Sequence, residues 1–141
     1  MGSTAGYSGT PLVKKLGFKP GMRVRLLHPP GHYWTLLGVK PATMGVDQLS
    51  DGSDMKADFT HLFATDPDTL EEAFAIARAG MLEEGLVWAS WPKKSSGMQT
   101  QIGRGEVMAT GKKAGLVDVK VCAVDDTWSA LKFVIPVRNR K

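Results

Sequence analysis

Few residues in this 141-residue chain have the type and spacing that chemistry needs. His28 and His32 stand four apart, which on a helix would present two imidazoles as a metal pair. Pro29-Pro30-Gly31 prevents a regular helix between them, and no Cys, Asp or Glu stands close by in sequence to complete a ligand set. No metal is expected. The single cysteine, Cys122, lies between Val121 and Ala123 in a strand-like run. It can form no internal disulfide, and that setting favours a buried inert thiol over a nucleophile. There is no Gly-x-Ser-x-Gly elbow, and Gly103-Arg104-Gly105 lacks the spacing and the Lys-Ser/Thr end of a phosphate loop. No carboxylate pair is placed for acid–base work. His61 falls inside a strand, where packing or edge exposure fits better than ligation.

One constellation has a chemical use. In Trp91-Pro92-Lys93-Lys94 an aromatic ring stands beside two ammonium groups, which can stack on a flat ring while holding an anion. A nucleotide or a phosphorylated metabolite would suit it. Ligands of open α/β sheets bind beyond the carboxyl ends of the strands. The same edge receives His28 from the first strand, and Thr65 and Asp66 from a middle one. Tyr7, Ser8 and Thr10 precede the first helix and can fold over it. The expected ligand-binding set is therefore Tyr7, Ser8, Thr10, His28, Thr65, Asp66, Trp91, Lys93 and Lys94. The competing reading packs Trp91 in the core and leaves both lysines solvated.

The elements that must position these residues follow from local signals. Thr10-Pro11 opens a short helix that Gly17 closes, with Lys14 and Lys15 in its last turn. Met22 to Leu27 reads as a strand, ended by His28-Pro29-Pro30-Gly31, and Tyr33 to Leu37 as a helical turn or two. Thr43 to Leu49 is a weak strand candidate and Phe59 to Thr65 a stronger one. Asp66-Pro67-Asp68-Thr69 opens a helix, with N-cap, first-turn proline and acids, whose buried stripe is Leu70, Phe74, Ala77 and Met81. Gly85 to Trp91 is a strand, Lys93 to Gly103 a loop, and Arg104 to Ala114 a helix. Leu116 to Val124 alternates, with Val117, Val119, Val121 and Ala123 on one side. After a turn at Asp125 to Ser129, Leu131 to Val137 returns as its hairpin partner.

Alternating strands and helices predict an α/β fold with a mostly parallel sheet, here ending in an antiparallel hairpin. This order matches a shortened class I methyltransferase variant of the Rossmann-like sheet, with one early strand–helix unit absent. The expected organisation is an N-terminal arm over 1–9, a single Rossmann-like domain over 10–137 and a frayed basic tail over 138–141. Blocks of the sequence also resemble a known family. Tyr7-Ser8-Gly9-Thr10-Pro11-Leu12, Ser90-Trp91-Pro92-Lys93-Lys94, and the run Gly115 to Asp125 with Trp128-Ser129 resemble the bacterial domain of unknown function 3052 family over most of residues 6–135. That resemblance implies no activity. Leu16 to Val24 is similar to the lead-in to the first strand of methyltransferases.

A methyltransferase needs glycines and free N–H groups beyond its first strand, where the cofactor backbone lies close. His28-Pro29-Pro30-Gly31-His32 offers one glycine and two prolines, so S-adenosylmethionine binding in the usual mode is not expected and no cofactor is assigned. Asp47 or Asp51 stands in range of a ribose-holding position after the second strand. The net charge of +4 conceals a division: residues 1–57 carry +4, 58–92 carry −6 and 93–141 carry +6. The acidic stretch is largely the solvated face of one helix. Lys14, Lys15, Lys19, Arg23 and Arg25 in one basic segment, and Lys93, Lys94, Arg104, Lys112 and Lys113 in the other, would form a nucleic-acid surface if they converged.

No apolar run approaches the roughly 20 residues of a membrane helix, and Met1 to Thr10 has no apolar core, so a soluble cytoplasmic protein is expected. The terminal hairpin leaves an edge strand able to pair between subunits, and the oligomeric state is open. The functional expectation is a non-catalytic binding or regulatory domain with an anionic ligand. A nucleic-acid-associated protein and an atypical S-adenosylmethionine-dependent methyltransferase are the alternatives.

Overall fold

The computed structural model describes residues 11–50 and 52–140. Among them a six-stranded sheet runs in the order β2-β1-β3-β4-β6-β5. Its strands are β1 (Arg23–Leu27), β2 (Asp47–Gln48), β3 (Ala57–Phe63), β4 (Met81–Pro92), β5 (Val117–Ala123) and β6 (Trp128–Val134). The first four are parallel, and β6 runs antiparallel between β4 and β5. The fold is the expected α/β one, mostly parallel and closed by an antiparallel pair. Between β1 and β3 there are only two short helices and the two-residue β2, so the early part of the sheet is the reduced part.

Two layers of helix cover the sheet. On one face lie α1 (Leu12–Lys15), α2 (Tyr33–Leu37) and α3 (Pro41–Met44). They pack with Val24, Leu26, Phe59, Phe63, Trp88, Trp128 and Ala130 of the strands. On the other lie α4 (Pro67–Ala79) and α5 (Arg104–Lys113), over Leu62, Val87, Ala89, Trp91, Leu131 and Phe133. Period-two alternation of side chains along β3, β4 and β6 serves both layers. The indole N–H of Trp88 donates to the carbonyl of Leu16 at 2.7 Å, which ties the end of α1 to the middle of the sheet. No helix of the described residues is long and apolar enough to cross a membrane.

The best-signalled helix forms as its sequence dictates. Asp66 is extended at the N-cap of α4, its carboxylate accepts from the Thr69 N–H at 2.9 Å, and Pro67 follows in the first turn. At the other end the Arg25 guanidinium donates to the carbonyls of Gly80 (2.7 Å), Met55 (2.9 Å) and Ser53 (3.2 Å). A cation there complements the negative end of the helix dipole. Arg25 is therefore buried and no part of a basic surface.

Several boundaries differ from the sequence reading for physical reasons. Pro11 is the N-cap of α1 and Thr10 lies outside the described residues, so the predicted threonine cap is not placed. The weak strand at Thr43 to Leu49 shrinks to Asp47–Gln48, because Pro41 opens α3 and Gly45 ends it in the left-handed conformation. Met81 is buried with Leu70, Phe74 and Ala77, yet it begins β4 and does not extend α4. The strand starts four residues before Gly85, directly after Gly80. In β5 the register slips between Asp118 and Lys120. Val117 opposes Val134 while Val121 opposes Leu131, so the valines do not share one face, and Val119 and Val121 are exposed. Residues 137–139 form a 3-10 turn, and the Arg140 side chain donates to the Ile135 carbonyl at 3.0 Å.

Candidate functional site

The strand order reverses beside β1: β2 lies on one side of it and β3 on the other. Ligand crevices of open α/β sheets form beyond the carboxyl ends of strands at such a switch point. Leu27 lies opposite Leu62 and Phe63 opposite Ser90, so β1, β3 and β4 end at one edge. There a cavity of about 230 Å³ is lined by His28, Phe63, Ala64, Thr65, Asp66, Thr69 and Trp128. Three of the expected site residues, His28, Thr65 and Asp66, are thus brought together.

Each is held by its local structure. His28 leaves β1 with φ +56°, the one non-glycine residue among those described in the left-handed region. That conformation, just before two prolines, turns the chain sharply off the strand. Asp66 is held below the usual carboxylate range, first by the Thr69 N–H it accepts from and also by the nearby His28 imidazole. It therefore brings a negative charge to the cavity. The Thr65 carbonyl accepts from the Gln101 N–H at 2.8 Å and from the Thr100 hydroxyl at 3.3 Å, which anchors the loop after β4 to this edge.

The other expected residues part from this group. Trp91 is only 8% exposed and packs with Ala89, Ile102 and Val107 under the helices, so it is no open stacking platform. Its place on β4 alternates toward the α4–α5 layer, which local sequence does not reveal. Lys93 donates its backbone N–H to the Thr127 carbonyl at 2.7 Å and is half-buried. Lys94 is exposed, opens a 3-10 turn, and stands close enough to Glu106 to help the Gly103 N–H lower that carboxyl. Neither lysine lines the cavity. Tyr7, Ser8 and Thr10 lie outside the described residues.

The aromatic wall of the cavity comes from a residue the sequence reading left in a turn. Asp125 accepts at one oxygen from the Thr127 N–H (2.9 Å) and the Trp128 N–H (2.7 Å), which starts β6 at Trp128. The Asp-x-Thr-Trp order carries that Asx-turn signal. Trp128 meets Phe63 edge to face at 5.0 Å, and Phe63 stacks on His61 at 4.3 Å. Under this wall His61 is fully buried between the Tyr33 hydroxyl (3.0 Å to Nδ1) and the Ser90 hydroxyl (2.7 Å to Nε2). Burial raises the Tyr33 phenol and pushes His61 down from 6.5 to about 3. Burial favours the neutral imidazole, and the trio braces the cavity floor.

The turn after β1 offers a cofactor few backbone donors. Pro29 and Pro30 have no N–H to give, and the Tyr33 N–H is already used by the Pro30 carbonyl at 3.1 Å. The helix that follows is only five residues long. Asp47 pairs with Arg23 at the amino end of β1, far from this edge, and Asp51 lies outside the described residues. Among the described residues no three of His, Cys, Asp and Glu gather as a metal site.

Solved structures supply the comparison. A TehB-like S-adenosylmethionine-dependent methyltransferase from Corynebacterium glutamicum superposes with a TM-score of 0.58 at 10% identity, over 94% of this chain and 91% of that one. The fold is methyltransferase-like. A putative methyltransferase from Thermoplasma acidophilum gives 0.54 at 11% identity over 92% and 76% of the two chains. The PH0226 protein of Pyrococcus horikoshii gives 0.60 at 10% over 88% and 85%. No family model matches the chain. No curated protein matches it either. At these identities the methyltransferase-like frame is shared and its chemistry is not thereby transferred.

Proposed function

We propose that this chain is a non-catalytic binding domain on a methyltransferase-like frame, taking a small nucleotide or phosphorylated metabolite at the carboxyl edge of β1 and β3. The observation that carries the reading is the 230 Å³ cavity at the switch point, joined to a His28-Pro29-Pro30 turn where a cofactor-binding loop would need glycine. Asp66 and Thr69 suit the hydroxyl or amine groups of such a ligand, and His28 suits its phosphate. The blocks noted above further lead us to infer membership of the domain of unknown function 3052 family, and the lone buried Cys122 fits a reducing, cytoplasmic setting.

The test is a thermal-shift and calorimetric panel of mononucleotides, phosphorylated sugars, S-adenosylmethionine and S-adenosylhomocysteine. The expected result is stabilisation by a phosphorylated member, lost in His28→Ala, with no shift from either S-adenosyl compound. Micromolar S-adenosylmethionine binding would establish the methyltransferase alternative in its place. A panel with no shift at all would remove the ligand site.

A further inference from the structure

The basic residues regroup in space in a way that sequence segments conceal. Arg25 is buried, and Lys113 pairs with Glu71 at 2.6 Å across α4 and α5. Lys112 and Arg104 share α5 with Lys113, on the other side of the sheet from α1. Other lysines gather on the opposite face. Lys120 on β5 stands directly opposite Lys132 on β6, on the sheet face that also carries Cys122 and Ala130 and packs with α1. Lys19, just past α1, lines the same cleft as Lys132. The Cys122 thiol, raised chiefly by burial, feels Lys15, Lys120 and Lys93. Lys132 is lowered by burial and then by Lys120 and Lys19. Five lysines from four separate stretches of chain therefore share one electrostatic neighbourhood.

Like charges directly opposite on neighbouring strands destabilise a sheet. This sheet carries such a pair at an exposed position, Lys120, beside a half-buried one, Lys132. A polyanion laid across the face would reverse that cost. The cleft near Lys19 also holds Asp58, Glu83 and Glu84, and Asp58 is engaged by the Arg23 N–H at 2.9 Å. Lys15, Lys93 and Lys120 lie outside that lining. Phe18 and Trp128 nearby are buried, so the face offers charge without a stacking platform.

We propose that the β5–β6 face, with Lys120 and Lys132 at its centre and Lys15, Lys19 and Lys93 around them, binds the phosphodiester backbone of duplex nucleic acid without reading sequence. Such contacts release counterions, so affinity falls with salt with a slope near 0.9 per phosphate neutralised.

Fluorescence anisotropy of a short random-sequence duplex between about 50 and 200 mM salt tests this. The wild-type chain binds with a steep salt slope. Lys120→Gln/Lys132→Gln reduces that slope by about two and weakens binding at every sequence tried. Lys112→Gln, on α5, leaves both unchanged. Thermal melting of the double variant at or above the wild-type temperature shows that the fold survives, and Lys120→Gln alone carries the test if the double variant does not fold. Absent binding at low salt, an unchanged slope in the lysine variants, or binding confined to phosphatidylserine vesicles would each overturn the proposal.

Discussion

His61 shows how a side chain with catalytic chemistry becomes structural. A neutral imidazole has one N–H and one acceptor nitrogen. The Tyr33 hydroxyl, kept protonated by burial, is suited to donate to Nδ1, which leaves the Nε2 proton for Ser90. Removing only the imidazole leaves two buried hydroxyls without a partner. His61→Leu should therefore cost about 2–5 kcal/mol in urea denaturation. Adding Tyr33→Phe and Ser90→Ala to it should recover most of the loss, since paired polar groups can be replaced together almost neutrally. A near-neutral single variant would sink this account. At this scale the site was half legible in the sequence. His28, Thr65 and Asp66 follow from strand ends, a local signal. Trp91 and Trp128 do not, because which tryptophan reaches the edge depends on β6 pairing antiparallel with β4 some forty residues away.

Among the elements, α5 shows packing overruling propensity. Gly111 is buried on it, and a Cβ there would strike the Phe133 ring of β6. Gly105, in the first turn of the same helix, has open space around it. Helix propensity alone favours alanine at both sites by up to about 1 kcal/mol. Gly105→Ala should accordingly raise stability by roughly 0.5 kcal/mol. Gly111→Ala should lower it by about 1–2 kcal/mol, because overpacking of 1–3 kcal/mol outweighs the gain. Chemical denaturation of the two variants checks both signs, and equal shifts would mean that Phe133 moves aside freely. The same contrast explains which elements the sequence revealed. The start of α4 was legible because its cap, its proline and its acids are neighbours in the chain. The bulge in β5 was not, since it exists only relative to Phe133 and Lys132 on the partner strand. Nor was the early start of β4, where an apolar Met81 suits a helix stripe and a strand equally well.

For the whole molecule, burial of His61 makes stability depend on pH. In the folded chain its imidazole titrates near 3, and in the unfolded chain near its ordinary 6.5. Between those values the unfolded state binds a proton that the folded state does not, so stability falls as pH drops through 6.5 and is fully present above it. The slope approaches 1.4 kcal/mol per pH unit, or roughly 2 kcal/mol lost between pH 6.5 and 5. The carboxyls of Asp66, Glu71 and Glu106 are lowered by their hydrogen bonds, and their contributions are lost as pH falls through the ordinary carboxylate range toward the lowered folded values. Comparison with a variant that lacks the imidazole isolates its share of the window from 6.5 to 5. Urea unfolding at pH 7, 6 and 5 should show the decline in the wild-type chain. In Tyr33→Phe/His61→Leu/Ser90→Ala the decline should be mostly gone, because no buried base is left to resist protonation. A wild-type profile flat across this window would mean that His61 takes up its proton in the folded state, and that the floor of the cavity opens to water where the structure closes it.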